Sequence, residues 1–310
     1  MMKVIGDELL NGIEPCAATI GFFDGVHKGH QFLISQLKKV AQERGVVSAI
    51  ITFPVHPRKV LNDEYQPQSI STKEEKIRLI EKSGVDYCIL LPFTRDIASL
   101  SAFDFMKLLK EKYMVTALII GYDHRFGHNR IEGFEEYCKY GKEIGIEVIQ
   151  ATELDNAELA VSSSAIRKLL ISSDIAKANC LLGYRYSISG KVIDGYKIGR
   201  KLGYPTANIS LLDEDKILPG KGVYAVYVYT DGTKRGGILN IGTRPTLDNG
   251  DNKSIEVNIF NFNGDLYSKI IEIEFVEFMR KEEKFDSLEE LIQQIDKDKE
   301  EALQILKDNI

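Results

Sequence analysis

Gly21-Phe-Phe-Asp-Gly-Val-His-Lys-Gly-His30 decides how the first half of the chain folds. An apolar run, Ala17 to Ile20, leads into it, and Phe32, Leu33, Leu37, Val40 and Ala41 follow at helical spacing. The pattern predicts a strand, a glycine-rich turn and a helix start. Gly21, Gly25 and Gly29 let the backbone bend sharply and let a bulky group come close. Unpaired N–H groups at a helix N-terminus attract anions, phosphate above all. His27 and His30, three residues apart, can face one spot from the first turn. Imidazoles there can hydrogen-bond phosphate oxygens and stabilise charge growing on a departing pyrophosphate. The competing chemistry for an H-x-x-H pair is metal binding, but no Cys, Glu or third His stands at a ligand spacing nearby.

Outward from this stretch, short apolar runs alternate with helical patterns over residues 1–182. Strands are predicted at Ala17–Ile20, Val46–Phe53, Tyr87–Leu91, Ala117–Gly121 and Ile146–Ala151, and helices near 29–44, 72–83, 101–113 and 133–144. Thr72 with Glu75 has the capping-box spacing of a helix start. Alternation of this kind argues for a Rossmann-like domain, a parallel sheet with helices on both faces, whose ligands sit beyond the carboxyl ends of the strands. Two further loops fall at such ends. In Thr52-Phe-Pro-Val-His-Pro57, the following proline keeps His56 extended. Gly121-Tyr-Asp-His-Arg-Phe-Gly127 crowds Asp123, Arg125 and Phe126 into one loop, a composition suited to an aromatic ring beside polar groups. Val161-Ser-Ser-Ser-Ala-Ile-Arg167 opens another helix, where Ser163 and Ser164 serve either as ordinary N-caps or, with Arg167, as a second anion site.

From Asn179–Arg185 onward the helical spacing stops. Short β-rich runs separated by Gly, Asp and Asn take over: Tyr186–Ile193, Gly222–Tyr229, Gly237–Ile241, Ser254–Phe260 and Ile270–Phe275. They predict an antiparallel barrel or sandwich over residues 183–310, closed by a terminal helix that starts at Ser287 and carries an apolar stripe of Leu288, Leu291, Ile292, Ile295, Ala302, Leu303 and Leu306. Within this half, Gly199-Arg-Lys-Leu-Gly-Tyr-Pro-Thr-Ala-Asn208 sets a glycine-flanked flap, with cations Arg200 and Lys201, beside Thr206 and Asn208. In an extended segment the last two point to one side, and a hydroxyl with an amide carbonyl is a hard donor pair suited to Mg²⁺.

The chain has 310 residues, enough for two domains, and its 44% hydrophobic and 28% charged content describes a soluble globular protein. A net charge of −6 disfavours nucleic acid as a partner. No run approaches a membrane span, and the first ten residues lack the pattern of a secretion signal. Four scattered cysteines without a C-x-x-C fit reduced thiols in the cytosol. A cytoplasmic protein acting on small molecules, without nucleic acid or membrane and as a monomer or weak oligomer, is expected.

Two resemblances sharpen these expectations. G-x-F-D-G-x-H-x-G-H closely resembles the signature of FAD synthetases in the adenylyltransferase superfamily, which attack the α-phosphate of ATP and release pyrophosphate. The loop with His56 is similar to their T-F-x-P-H-P. The loop with Asp123, Arg125 and Phe126 is similar to their G-x-(N/D)-F-R-F-G, with His124 where Phe is common. The serine string resembles I-S-S-T-x-(I/V)-R, with Ser164 in place of Thr. The resemblance implies that Gly21, Phe22, Asp24, Gly25, Gly29, His56, Asp123, Arg125, Phe126, Ser163 and Ser164 bind ATP or flavin, while His27, His30 and Arg167 act on the phosphates. The second half resembles riboflavin kinases through G-R-x-L-G-(F/Y)-P-T-A-N. Leu218-Pro-Gly-Lys-Gly-Val-Tyr224, Asn240-Ile-Gly-Thr-Arg-Pro-Thr246, Glu256-Val-Asn-Ile-Phe260 and Arg280-Lys-Glu-Glu-Lys-Phe285 follow in the family's order. This implies a barrel in which Glu256 is the general base on the ribityl 5′-hydroxyl. Gly199, Arg200, Lys201 and Arg280 would bind nucleotide, and Thr206 and Asn208 would hold Mg²⁺; Asn258 and Asn261 stand where the family has His and Asp. Together the resemblances imply a bifunctional riboflavin kinase/FMN adenylyltransferase that takes riboflavin to FMN and then to FAD, with ATP as co-substrate. Its rivals are a monofunctional kinase with a decayed α/β domain, motivated by His124 and Val55, and a non-catalytic flavin-binding regulator.

Overall fold

Apolar runs of four to six residues that no alternation interrupts are suited to strands buried on both faces, and the first half builds the four central strands of its sheet from them. The structure, a computed structural model, describes residues 1–6, 12–62, 64, 68–121, 125–128, 131–153, 161–195, 203–243 and 253–307. It divides into two compact units, Met1–Ser163 and Ser164–Ile310.

In chain order the first unit contains β1 (Lys3–Ile5), β2 (Cys16–Ile20), α1 (Lys28–Arg44), β3 (Val47–Thr52), α2 (Pro57–Leu61), α3 (Lys73–Lys82), β4 (Tyr87–Leu90), α4 (Arg95–Ser99), α5 (Ala102–Tyr113), β5 (Val115–Ile120), α6 (Phe134–Ile144) and β6 (Glu147–Gln150). The six strands form one sheet in the order β1-β4-β3-β2-β5-β6, every neighbouring pair parallel. β2 is buried throughout, and its alternate residues feed two cores. Ala17 joins Ile34, Leu37 and Ala41 of α1 and Ile80 of α3, while Cys16 and Ala18 join Phe105, Met106 and Leu109 of α5 and Tyr137 of α6. Helices therefore cover both faces, as the alternation predicts. Strand order reverses between β2 and β5, so the crevice beyond their carboxyl ends is the place for a ligand.

The second unit takes in most of α7 (Ser163–Ile171), then α8 (Ile175–Leu182), β7 (Ser187–Ile193), β8 (Ala207–Leu211), β9 (Gly222–Thr230), β10 (Thr233–Thr243), β11 (Lys253–Ile259), β12 (Ile270–Arg280) and α9 (Leu288–Lys307). Its strands close into an antiparallel barrel, β10-β11-β8-β7-β12-β9. Of the two architectures the β-rich runs allow, the barrel is the one formed. Ile188, Tyr224, Val226, Leu239, Val257 and Ile273 are buried and register places them on the inward face. α9 lies on the outward face, where Ala302 and Leu306 pack on Ala225, Tyr227, Phe260 and Val276. The Tyr227 hydroxyl donates to the Leu306 carbonyl at 2.7 Å, holding the last turn of α9 to β9.

Candidate active sites

The glycine loop leaves β2 and must reverse before α1 can begin. Gly21 N–H donates to the Ile51 carbonyl at 3.1 Å, so β3 still holds the chain at that point. A single 3₁₀ turn, Asp24–Val26, then makes the bend, with Phe23 at φ 54° and Gly25 at φ 75°. The bend is fixed from below. Asp24, almost wholly buried, accepts from the backbone N–H groups of Ile70 and Ser71 at 2.9 and 3.0 Å, and the Ser71 hydroxyl accepts from Gly25 N–H at 2.9 Å. Hydrogen bonds to a charged group contribute roughly 1.5–3 kcal/mol each, so this knot stabilises the bend. Asp24, expected at the ligand, supports the loop through its bonds to Ile70 and Ser71.

His27 caps α1. Its Nδ1 accepts from His30 N–H at 3.3 Å, so the neutral ring carries its proton on Nε2. The two imidazoles stack with centroids 3.7 Å apart. A Cβ on Gly29 would sit 3.3 Å from the His27 ring, so glycine is what lets that ring fold back over the helix start. His56 caps α2, its Nδ1 accepting from Arg58 N–H at 3.1 Å. Its ring meets Phe22 edge to face at 4.6 Å, so the loops after β2 and β3 come together as predicted. Ser163 joins them by donating from its hydroxyl to the Asp24 carbonyl at 3.1 Å. Ser164 is exposed and Arg167 half-buried on α7, in the second unit. In the loop after β5, Arg125 is exposed. Phe126 is buried, its ring stacked on Tyr137 at 4.2 Å and its N–H donating to the Tyr137 hydroxyl at 3.1 Å. Asp123 lies outside the described residues. Beside these loops is a cavity of about 130 Å³ walled by Phe53, Phe93, Phe105 and Phe126, with Arg125 at its edge. An aromatic lining with a cation beside it suits a flat, polar-edged ring.

Lys76, which was not among the expected site residues, ties two of these loops together. It is 3% exposed, and its ammonium donates to the Phe22 carbonyl at 3.1 Å and the Phe53 carbonyl at 2.8 Å while lying 4.0 Å above the Phe22 ring. Burial pushes its pKa down to about 8, with the Asp24 charge pulling the other way. The Glu–Glu–Lys context of α3 reads as a solvated face; only the helical phase relative to Ile80 marks Lys76 as inward.

The second site is aligned by strand register. Glu256 on β11 stands directly opposite Asn208 of β8 on one side and Asn240 of β10 on the other. Directly opposed residues share a face, so the three side chains form a row on the outward face of the barrel. Thr206, two residues before Asn208, donates to Glu256 Oε2 at 3.3 Å. Asn208 is buried against the bare Cα of Gly195, where a Cβ would collide with its amide. The Asn240 amide donates to Glu282 Oε1 at 3.1 Å, and the Glu282 carboxylate occupies the space a side chain on Gly242 would fill. Glu282 was not among the expected site residues, although it lies inside the Arg280–Phe285 string. The Asn258 amide donates to the Pro205 carbonyl at 2.8 Å, fastening β11 to the segment that carries Thr206. Arg280 makes a two-pronged pair with the buried Asp298 of α9, at 2.8 Å for both contacts. A cleft of about 310 Å³ opens beside Thr206, Asn208, Val257 and Phe262. Gly199, Arg200 and Lys201 lie outside the described residues.

Thr206, Asn208 and Glu256 present oxygen donors on one face, a set that fits a hard cation bound together with phosphate oxygens and water. Among the described residues no three His, Cys, Asp or Glu side chains come together as a complete protein cage for a metal.

Comparison with known proteins agrees with both halves. The family model described as FAD synthetase matches residues 11–165, and that described as riboflavin kinase matches residues 182–306. A bifunctional riboflavin kinase/FMN adenylyltransferase from Bacillus subtilis is 37% identical over 92% of this chain and 90% of its own. The protein of that name from Escherichia coli is 36% identical over 92% and 91%. A solved structure from Streptococcus pneumoniae, described as a macrolide-efflux protein, covers 96% of this chain and 97% of its own with a TM-score of 0.87 and 31% identity. With both halves matched in one polypeptide and in this order, the chain belongs to the bifunctional riboflavin kinase/FMN adenylyltransferase family.

Proposed function

We propose that the chain carries out two successive reactions, with residues 183–310 phosphorylating riboflavin to FMN and residues 1–182 adenylylating FMN to FAD. The observation that carries this is the cross-strand row centred on Glu256, present in the same chain as the stacked His27–His30 pair. In the barrel, Glu256 takes the proton of the ribityl 5′-hydroxyl as that oxygen bonds to the γ-phosphorus of ATP and ADP leaves. Thr206 and Asn208 would hold Mg²⁺, which when bound neutralises phosphate charge. In the α/β domain, a phosphate oxygen of FMN bonds to the α-phosphorus of a second ATP, and the bond to pyrophosphate breaks. That oxygen is already anionic near neutral pH, so the step needs no strong base. The Nε2–H of His27, with His30, Ser164 and Arg167, stabilises charge on the phosphates, and the aromatic cavity beside Phe126 receives the flavin ring. Asp24 and Arg280 act by support, one holding the glycine loop and the other tying α9 to β12.

The chain works on small molecules in the cytoplasm, as a monomer or weak oligomer; its net acidity and four free cysteines support this. The efflux named for the S. pneumoniae protein has no counterpart in either site's chemistry. Among the described residues, no helix is long and apolar enough to cross a membrane.

The test is to incubate the purified protein with riboflavin, ATP and Mg²⁺ and to follow the flavins by chromatography. FMN should appear first and FAD after it. FMN alone would leave a kinase with a decayed partner domain. No change in riboflavin or added FMN would leave a binding role.

A further inference from the structure

The ammonium of Lys76 lies beneath the two loops that carry the imidazoles, and it is the one described side chain that hydrogen-bonds to the carbonyls of both Phe22 and Phe53. Phe22 directly precedes the turn that leads to His27 and His30. Phe53 belongs to the loop that carries His56, three residues on. The Phe22 ring touches both the ammonium, at 4.0 Å, and the His56 ring, at 4.6 Å. The Thr52 hydroxyl also donates to the Phe22 carbonyl, at 3.1 Å, so two donors converge on one oxygen where the loops meet.

A lysine in a core is costly unless its charge is used. Here two donors meet carbonyl oxygens and the charge faces an aromatic ring, so all three interactions converge on the junction of the two loops. A methionine or leucine would fill the same space without fixing either carbonyl. We propose that Lys76 is a positioning residue for adenylyl transfer: it sets the separation of the glycine loop and the His56 loop, and so the placement of the imidazoles around the phosphates. The proposal rests on the adenylyltransferase reading of the first unit.

Its titration gives an independent handle. The charged or titratable groups that act on Lys76 are Asp24 of the 3₁₀ turn, Cys88 of β4 and Lys73 of α3; burial outweighs them and brings its pKa down to about 8. A neutral amine would keep the packing but weaken both carbonyl contacts.

The test uses Lys76→Met in the full-length chain, with both reactions measured on one preparation. Kinase activity should stay within about twofold of the unsubstituted protein. The kcat for FMN to FAD should fall on the order of tenfold to a hundredfold, the scale of a misplaced catalytic group. In the unsubstituted protein that kcat should decline as pH rises through about 8, and Lys76→Met should lack this limb. FAD formation undiminished in Lys76→Met would overturn the proposal. Equal loss of both activities would also overturn it, by assigning Lys76 to the fold as a whole. If the unsubstituted chain made no FAD, the adenylyltransferase reading itself would fall.

Discussion

Glu256 stands in a row that the sheet itself aligns, whereas His27 and His30 stand on a loop that side chains from elsewhere must hold. In the barrel, Asn240, Glu256 and Asn208 face one way because three neighbouring strands are in register, and backbone hydrogen bonds supply the alignment. At the glycine loop the supports are Asp24 on Ile70 and Ser71, 46 and 47 residues away, and Lys76 on Phe22, 54 residues away. Damage at the barrel site should therefore concentrate on residues of the row. Damage at the loop site should extend to buried polar groups that never touch a substrate.

The largest effect tests the row. Glu256→Gln keeps the shape and the Thr206 contact but removes the proton acceptor. FMN formation should drop by about a thousandfold, within the range for loss of a general base, while conversion of supplied FMN to FAD continues. Loss of both reactions would break the division between the sites. Next comes His30→Ala, which removes half of the stacked pair. FAD formation should fall by about a hundredfold, the scale for one group that stabilises transition-state charge, with FMN formation intact. An unchanged rate of FAD formation would mean that the loop is held for something other than its imidazoles.

The same contrast explains what the sequence made legible. Strands β2 to β5 could be read because each is a largely apolar run bounded by turn residues, and β6 because Ile146, Val148, Ile149 and Ala151 follow the turn after α6. β1 has three residues, and α2 and α4 have five each, too few to establish a period. β8 was visible only as an extended segment through Thr206 and Asn208, because its ladder partners lie on β7 and β11. His27, His30, His56, Thr206 and Glu256 could be proposed because their chemistry is carried by residue type within a short string; the structure stacks the first two, sets His56 against Phe22 of their loop, and puts Thr206 in contact with Glu256. The commitments of Asp24 and Arg280 could not be seen. Asp24 binds backbone N–H groups that no pattern marks as partners, and Arg280 finds Asp298 on a helix whose only readable signal is its apolar stripe. Lys76 was hidden for a related reason: beside Lys73, Glu74 and Glu75 it looks like one more solvated charge, and only the packing of α3 reveals where its ammonium goes.

The smallest effect concerns stability, and it opposes the effect on activity. The folded chain holds Lys76 with a pKa of about 8, below the ordinary value of 10.5, because burial disfavours its charge. Above about pH 8 the folded protein has released this proton while the unfolded chain still binds it, so the unfolded state carries more protons and stability must rise with pH. The window closes near pH 9. Beyond it the buried Cys16 and Cys88 thiols, raised from 9.0 to about 12 and about 11, keep protons that the unfolded chain gives up, and stability is drawn down. Between these limits one proton sets a ceiling of about 1.4 kcal/mol per pH unit. Urea unfolding of the full chain and of Lys76→Met, compared at the two ends of the window, should show the unsubstituted protein gaining on the variant by up to about 1 kcal/mol. A constant difference between them would mean that the ammonium keeps its proton in the fold. Over the same interval FAD formation should decline. An ammonium that served only to hold the fold would have no reason to weaken stability below pH 8 and support turnover there at once, whereas one kept charged to set the two loops would do both.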